Sequence, residues 1–235
     1  MTRPLKLLCS ASPFGFVLRK PTSVDGPRLQ ILNLLQWHDR ASVDQLSKAV
    51  GLASATVRRH LDILQRDHLI AFDQVKKKTG RPEYTYYLTD VGQESMPKDY
   101  GRLVGRLLQE LSSLSPADVA DHCGAELLKL LFQRMAFQTA ARNQIAVDAP
   151  FPQRLAKAVA VLQQERFEPE VQEADGLVRI LLHNCPFRSA ALENGSVCTY
   201  DSLVLSTILG TGVSQEKCIH KNDSSCCYVV PRQSA

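Results

Sequence analysis

The 235-residue chain has no long hydrophobic run. A membrane-spanning helix needs roughly 20 consecutive apolar residues, so the sequence predicts no such helix. A secretory leader is poorly supported as well, because Lys6 and Pro13 interrupt the apolar N-terminus and Arg19 and Lys20 close it. These absences exclude a membrane-spanning protein and favour a cytoplasmic location.

The chain also has little net charge, but that charge is unevenly distributed. The formal net charge is +4. Residues 1–97 carry 14 Lys and Arg against 9 Asp and Glu, whereas residues 98–235 carry 14 against 15. Hydrophobic residues make up 44% of the chain, which excludes wholesale disorder. A basic front half joined to a near-neutral back half indicates a polyanionic partner.

The pattern of three helices and a hairpin predicts a winged helix-turn-helix in the front half. Ser42 and Gln45 have the spacing of a capping box, and Val57, Leu61 and Leu64 form one apolar stripe on the third helix. A β-branched and aromatic alternation indicates two strands joined by a basic loop. The predicted elements are helices 28–37, 43–50 and 55–67, with Ser54 capping the third, and strands 69–75 and 83–88.

This arrangement predicts a surface that binds double-stranded DNA. The second helix of a helix-turn-helix enters the major groove, where Arg pairs with guanine and Ser or Thr contacts base or phosphate. The basic wing loop suits phosphate or minor-groove contacts. A solvated charged face is the alternative for any isolated charge run, but the order of the elements favours DNA. The candidate residues are Ser54, Thr56, Arg58 and Arg59 on the helix, and Lys76, Lys77, Lys78 and Arg81 in the wing.

The back half is expected to be a small α+β domain. Residues 98–114 form a helix with apolar Leu103, Leu107, Leu108 and Leu111, which serves as a linker, as a dimer seam, or as both. The fold class is therefore mainly α with small β elements, an N-terminal winged helix-turn-helix plus a C-terminal α+β domain. The expected divisions are a disordered tail at 1–27, the DNA-binding domain at 28–97, the linker or dimerisation helix at 98–116, and a sensor domain at 117–235. Further helices are expected over 118–145, around Leu155 to Leu162 and over 199–209, and strands over 171–174, 177–183 and 226–230.

Seven cysteines are the main chemical feature of the chain, and five of them lie in its last 51 residues. The odd count and the missing leader argue against a disulfide framework and favour metal binding or redox sensing. Cys185, Cys198 and Cys226 lie at the ends of three predicted elements, where they can converge. They lack the CxxC pairs of a zinc ribbon, although zinc stays open, and iron–sulfur clusters accept wider spacing. Buried cysteines without a ligand are the remaining alternative.

The other cysteines and the nearby histidines are weaker candidates. On a strand, Cys226 and Cys227 point to opposite faces, so only one of them faces a shared site. Cys9 and Cys123 are remote in sequence and are interpreted as incidental. His183 and His220 flank the cysteine region and are expected to be hydrogen-bonded rather than metal ligands.

Several phrases of the sequence resemble the SufR family of bacterial repressors of iron–sulfur cluster assembly genes. The phrases are TVRRHLDIL, GRPEYTYYLTDVG, NCPF, VC, ILGTGV and CCYVV, within residues 28–230. The resemblance implies an iron–sulfur cluster, with [4Fe-4S] expected over [2Fe-2S], held by Cys185, Cys198 and Cys226 in a C-x12-C-x27-C pattern. A variant of the family with a further midway cysteine is not matched, because position 212 is Gly. Cys218 is the first candidate for the fourth ligand.

The resulting hypothesis is a homodimeric, cytoplasmic DNA-binding repressor whose operator affinity depends on the cluster. The alternative within regulators is a thiol-redox or zinc-dependent winged-helix protein. An enzyme with an activated cysteine is disfavoured, because His183 precedes Cys185 by two residues but no orienting carboxylate is evident. The chain is therefore expected not to be an enzyme.

Overall fold

The computed structural model describes residues 26–75, 82–120, 122–143 and 149–231, and the chain divides into two compact units after Leu88. Almost all of the predicted tail at residues 1–27 lies outside these ranges, as do the wing-loop residues Lys76, Lys77, Lys78 and Arg81. Within the described ranges, no helix is long and apolar enough to cross a membrane.

The first unit is a winged helix-turn-helix, as predicted. Its strands form one antiparallel sheet in the order β1-β3-β2, and the β2–β3 hairpin pairs Ile70 with Leu88 and Phe72 with Tyr86. The elements are α1 (Pro27–His38), β1 (Ala41–Ser42), α2 (Val43–Val50), α3 (Ser54–Arg66), β2 (Ile70–Val75) and β3 (Glu83–Leu88).

Local sequence signals account for the start and end of α2. The backbone N–H of Gln45 donates to Ser42 Oγ at 3.3 Å, and the N–H of Ser42 donates to Gln45 Oε1 at 2.8 Å, which completes the predicted capping box. Gly51 ends the helix with a φ of 77°, a backbone conformation that favours glycine.

Helix α3 buries the predicted stripe of Val57, Leu61 and Leu64 in the core of the unit. The predicted cap at Ser54 is wrong. Ala53 occupies the N-cap position, and no side chain caps the helix. The hydroxyl of Ser54 instead accepts a hydrogen bond from Ser47 Oγ at 3.3 Å, which ties α3 to α2.

The second unit packs helices against a four-stranded antiparallel sheet with the order β4-β5-β7-β6. Its elements are α4 (Asp90–Ser95), α5 (Tyr100–Ser112), α6 (Pro116–Val119), α7 (Gly124–Arg142), α8 (Phe151–Gln164), β4 (Pro169–Ala174), β5 (Leu177–Leu182), α9 (Arg188–Glu193), α10 (Thr199–Leu209), β6 (Ser214–Lys217) and β7 (Cys226–Pro231).

The strand and turn signals of the second unit are confirmed, whereas its helix boundaries differ from the prediction. Asp175 and Gly176 have φ values of 54° and 71° and connect β4 to β5, as the Asp-Gly pair predicts. Gly210 ends α10 with a φ of 68°. The helix predicted over 118–145 is instead two helices, α6 and α7. Helices α4 and α9 and strand β6 were not predicted, because their sequences are too short to show a period.

Candidate functional site

The exposed side of α3 carries the polar residues that the sequence assigned to DNA. Thr56, Arg58 and Arg59 are exposed there, opposite the buried stripe of the helix. Ser54 is half-buried, and its hydroxyl is engaged by Ser47. The structure therefore presents three of the four predicted helix contacts to solvent. The predicted wing residues Lys76, Lys77, Lys78 and Arg81 lie outside the described residues.

In the second unit, four cysteines from separate structural elements meet in one place. This group, called the thiol cluster below, consists of Cys185, Cys198, Cys218 and Cys226. The Sγ atoms of Cys198 and Cys218 are 3.8 Å apart, and Cys218 also forms a side-chain hydrogen bond with Cys226. Cys185 is close enough to interact electrostatically with Cys198 and Cys226. The structure thus brings together the three cysteines of the predicted pattern and Cys218.

Each thiol of the cluster lies at the end of an element. Cys185 follows β5, Cys198 is the N-cap residue of α10, Cys218 follows β6, and Cys226 begins β7. Such positions allow side chains that are distant in sequence to meet, because element ends gather at one edge of a fold. The arrangement is typical of metal and cluster sites built from several loops.

A buried amide holds the loop that carries Cys185, and a close approach at Gly195 constrains the turn that ends at Cys198. The amide of Asn184, only 1% exposed, donates to the carbonyls of Pro97 at 2.8 Å and Arg166 at 2.7 Å. Gly195 begins the 3-10 turn that ends at Cys198, and a Cβ at position 195 would lie 2.9 Å from the ring of His220. Glycine is therefore required at this close approach.

The environment favours one thiolate among the four thiols. Hydrogen bonds from Cys226, and from the backbone at His220 and Lys221, lower the pKa of Cys218 to about 5. Burial raises the pKa of Cys185 to about 12 and holds the pKa of Cys198 well above its usual value. The hydrogen bond to Cys218, together with burial, holds the pKa of Cys226 well above its usual value. Cys218 is therefore the thiol that most readily becomes a metal-binding thiolate.

A buried carboxyl beside the thiol cluster was not predicted. Asp201 is 4% exposed and accepts a 2.7 Å hydrogen bond from the hydroxyl of Tyr228. Burial raises the pKa of Asp201 to about 7, and the carboxylate in turn raises the pKa of Cys185 and Cys198. Cys198 and Asp201 are three residues apart at the start of α10, so they lie on one helix face. This spacing is the signal in the sequence that places the Asp201 carboxyl near the thiol cluster.

The remaining cysteines lie away from the cluster. Cys227 is on the face of β7 opposite to Cys226, with its Sγ 3.7 Å from Glu216 Oε2. Cys123 is exposed at the N-cap of α7, and Cys9 lies outside the described residues.

The two flanking histidines both have hydrogen-bond partners. Nε2 of His183 lies 2.8 Å from Glu170 Oε2. Nδ1 of His220 donates to the carbonyl of Ala191 at 2.9 Å.

The thiol cluster is tightly packed. The cavity that borders Cys185, Cys198 and Cys226 has a volume of about 20 Å³, which is room for roughly one water molecule. Among the described residues, no group of three or more His, Cys, Asp or Glu side chains is arranged so that it could hold a metal ion. The donor set suits a soft metal, but the side chains as placed leave no room for a metal centre.

Helix α5 is joined to α10 just after the thiol cluster. Arg106 donates to both oxygens of Glu165 at 2.8 and 3.0 Å and to the hydroxyl of Tyr200 at 2.8 Å. That hydroxyl donates to Glu165 Oε2 at 2.9 Å. Tyr200 is two residues after Cys198, so the first turn of α10 is bound to α5 by a buried network.

The other side of α5 presents an apolar stripe to solvent. Val104, Leu108 and Leu111, called the outer stripe below, are 52%, 57% and 55% exposed. Leu103 is buried, and Leu107 packs against the core of the second unit. The apolar residues of this helix therefore serve two different surfaces.

Comparison with known proteins identifies the first unit. Residues 25–71, about a fifth of the chain, match the family model for winged helix-turn-helix DNA-binding domains. With the fold described above, this match shows that the chain contains a winged helix-turn-helix DNA-binding domain, as expected of a regulator. No curated protein sequence matches the chain significantly.

One solved structure, Bacillus subtilis PadR in complex with operator DNA, is similar to the chain at 17% identity. It covers 60% of this chain and 92% of its own, with a TM-score of 0.27. A score this low does not establish a shared arrangement.

Proposed function

We propose that this chain is a homodimeric, cytoplasmic transcriptional repressor of iron–sulfur cluster assembly genes, and that an iron–sulfur cluster controls its operator affinity. The proposed ligands are Cys185, Cys198, Cys218 and Cys226, and the proposed cluster is [4Fe-4S]. The observation that carries the proposal is the meeting of four thiols from four element ends, in a chain that also carries a DNA-binding domain. The target genes rest on the resemblance to the SufR family.

The chemistry of the donors supports this assignment. Thiolates are the soft ligands that iron–sulfur clusters use, and four of them complete such a site. When bound, the cluster supplies a link between the four loops that depends on iron supply and is sensitive to oxidation. The thiolate of Cys218 is available near neutral pH, whereas Cys185, Cys198 and Cys226 must each lose a proton to become ligands.

Contacts within the second unit provide a route from the thiols to the proposed dimer surface. Cys198 is two residues from Tyr200, whose hydroxyl contacts Arg106 on α5. Asn184, next to Cys185, is bound to the carbonyl of Pro97, shortly before α5 begins. A displacement of either cysteine would therefore act on α5 and the segment before it through short, partly buried hydrogen bonds.

We assign the outer stripe of α5 to a second copy of the chain. Three neighbouring apolar side chains, each more than half exposed, indicate a surface that is covered in the functional assembly. A two-fold dimer presents two recognition helices to a pseudo-palindromic operator. Cluster binding and operator binding are then coupled reciprocally, because both depend on the same dimer geometry.

A zinc-dependent or thiol-redox regulator is the second candidate, and the spacing of two thiols favours it. The 3.8 Å between the Sγ atoms of Cys198 and Cys218 equals the roughly 3.8 Å expected for tetrahedral zinc with bonds of about 2.3 Å. Two thiols at this distance also suit disulfide formation after a small rotation.

A cysteine enzyme is disfavoured, although Glu170 supplies the orienting carboxylate for His183 that the sequence did not reveal. Burial and Asp201 raise the pKa of Cys185 to about 12, which is the opposite of nucleophile activation.

Anaerobic purification separates these candidates. The cluster hypothesis predicts a brown protein with visible absorption and equal amounts of iron and acid-labile sulfide. A colourless protein with one zinc per chain supports the zinc candidate. A colourless, metal-free protein that loses two thiols on mild oxidation supports the redox candidate.

A further inference from the structure

One face of the wing hairpin exposes a group of aromatic rings. This aromatic platform consists of Phe72 on β2 and Tyr84 and Tyr86 on β3. Phe72 is 40% exposed and Tyr84 45% exposed. The ring of Phe72 meets that of Tyr84 edge-on at 5.1 Å between centroids and lies 5.8 Å from that of Tyr86. The rings hold one another in place while a large part of their surface faces solvent.

The strand register places the platform beside α3. Ile70 and Leu88 are buried at the base of the same hairpin face, so this face extends from the core of the unit towards the wing tip. Tyr86 lies within electrostatic range of Arg58 and Asp62 on the exposed side of α3. The platform therefore flanks the surface that carries Arg58 and Arg59.

Exposed aromatic residues in such a position indicate a binding surface. Aromatic side chains contribute large apolar area with few rotatable bonds, and they are rarely left exposed as a group. The matched DNA-binding domain and the exposed arginines of α3 are next to the platform, and three lysines follow β2 in the sequence. The exposed arginines of α3, and the lysines that follow β2 in the sequence, favour a polyanion as the occupant.

Duplex DNA offers what these rings can bind. The carbons of the deoxyribose provide apolar surface, and the C5 methyl of thymine does the same in the major groove. The phosphate oxygens accept hydrogen bonds from tyrosine hydroxyls. A ring pair beside α3, the helix expected to enter the major groove, can therefore contact the sugar–phosphate backbone that borders this groove.

We propose that Phe72 and Tyr84 form a DNA-contact surface, in which their rings pack on the sugar–phosphate backbone and the Tyr84 hydroxyl donates to a phosphate. This proposal rests on the DNA-binding part of the proposed function and does not depend on the cluster. Such contacts add affinity without adding charge. They therefore leave the salt dependence of binding unchanged, unlike contacts of lysine or arginine, which release counterions.

The test is a fluorescence anisotropy titration of the full chain with a short, mixed-sequence DNA duplex at several salt concentrations. The variants are Phe72→Ala, Tyr84→Ala and Tyr84→Phe. The matched control is Val75→Ala, because Val75 is 46% exposed on the opposite face of the same hairpin. Circular dichroism and thermal unfolding check that each variant is folded, and Tyr84→Leu keeps apolar bulk if Tyr84→Ala does not fold.

Each ring deletion is expected to weaken binding on the order of fivefold, from loss of apolar contact area, with an unchanged slope of log affinity against log salt. Tyr84→Phe removes only the hydroxyl and is expected to weaken binding less than Tyr84→Ala does. Val75→Ala is expected to bind like the parent.

Parental affinity for Phe72→Ala and Tyr84→Ala overturns the proposal while leaving DNA binding intact. If these two variants bind DNA with parental affinity but sediment differently from the parent, the platform is a protein interface. That result also overturns the DNA-contact proposal. A parent chain that does not bind duplex DNA overturns the DNA-binding function itself.

Discussion

Arg106 donates a hydrogen bond to the hydroxyl of Tyr200 across 2.8 Å, and this contact joins α5 to the helix that begins at Cys198. Glu165 accepts from both groups, so the three side chains form a closed network in which the carboxylate is only 8% exposed. A buried network of this kind transmits a displacement because it has few alternative arrangements.

Tyr200→Phe is expected to uncouple DNA binding from the metal site. The ring keeps its packing, but the variant loses the hydroxyl that contacts Arg106, Glu165 and Thr139. We expect about 1–3 kcal/mol less stability in urea unfolding. Iron content should be normal, and the operator affinity ratio between the metal-bound and metal-free forms should fall towards one.

Tyr100→Phe is the matched control, because its hydroxyl contacts Ser189 and Glu94 outside this network. It should keep the parental affinity ratio. A parental ratio in Tyr200→Phe would show that coupling takes another route.

Serine substitutions of the thiol cluster are expected to remove most of the bound iron. A hydroxyl is a poor ligand for a soft iron site, so Cys185→Ser, Cys198→Ser and Cys226→Ser should each lose the cluster and, through it, operator affinity. Cys218→Ser decides the fourth ligand, and the structure predicts that it also loses iron, because Cys218 contacts Cys198. Iron and sulfide assays on anaerobic protein provide the measurement.

The controls for this series are Cys123→Ser and Cys227→Ser. Cys123 is exposed, and Cys227 faces Glu216 on the opposite side of β7. Both should retain full iron content. Iron retained in every variant of the thiol cluster would contradict the proposed site.

A glutamate at Leu108 or Leu111 is expected to produce a monomer. These residues belong to the outer stripe, where a charge blocks apolar association but leaves the fold of the subunit intact. Sedimentation velocity should show a halved mass, and operator affinity should fall because one half-site supplies only part of the contacts. Val91→Glu, on an equally exposed position of α4, serves as the control. An intact dimer in the α5 variants would place the interface elsewhere.

Substitutions on α3 and in the wing are expected to affect DNA binding differently. If Arg59 contacts a base pair, Arg59→Ala should cost about 1–3 kcal/mol at the operator and less on unrelated DNA. Lys77→Ala should weaken binding to all duplexes similarly and lower the salt slope by about one. Titrations with both kinds of duplex measure this difference. Equal losses on both, for both variants, would rule out the division between base and phosphate contacts.

The winged helix-turn-helix was predictable because its signals are local. The Ser42–Gln45 capping box, the buried period of α3 and the alternation of β3 each lie within a few residues. The cap at Ser54 was mispredicted because α3 begins at Ser54 with Ala53 as its N-cap residue, and the Ser54 hydroxyl accepts from Ser47 on α2. A side-chain contact between two helices leaves no local pattern in the sequence.

Several contacts of the second unit could not be predicted from the sequence, because they depend on how its elements pack. Cys185, Cys198 and Cys226 were expected to converge because they lie at the ends of predicted elements, and the resemblance to the SufR family implied their ligand pattern. The contact of Cys218 with Cys198 instead depends on how β6, β7 and α10 pack. The periodicity of α5 likewise does not say which leucines face the protein. Leu103 is buried and Leu108 is exposed, and only the packing of the second unit distinguishes them.

The most direct test of the central claim is operator binding by one anaerobic preparation before and after removal of its iron. The probe is the duplex upstream of the organism's iron–sulfur assembly genes, with a mixed-sequence duplex for comparison. The iron-loaded protein is expected to bind the operator tightly and selectively. Chelation of the iron should weaken binding about fivefold or more, and reconstitution with iron and sulfide should restore it. Equal affinity with and without iron, in a protein that does bind the duplex, would contradict the central claim.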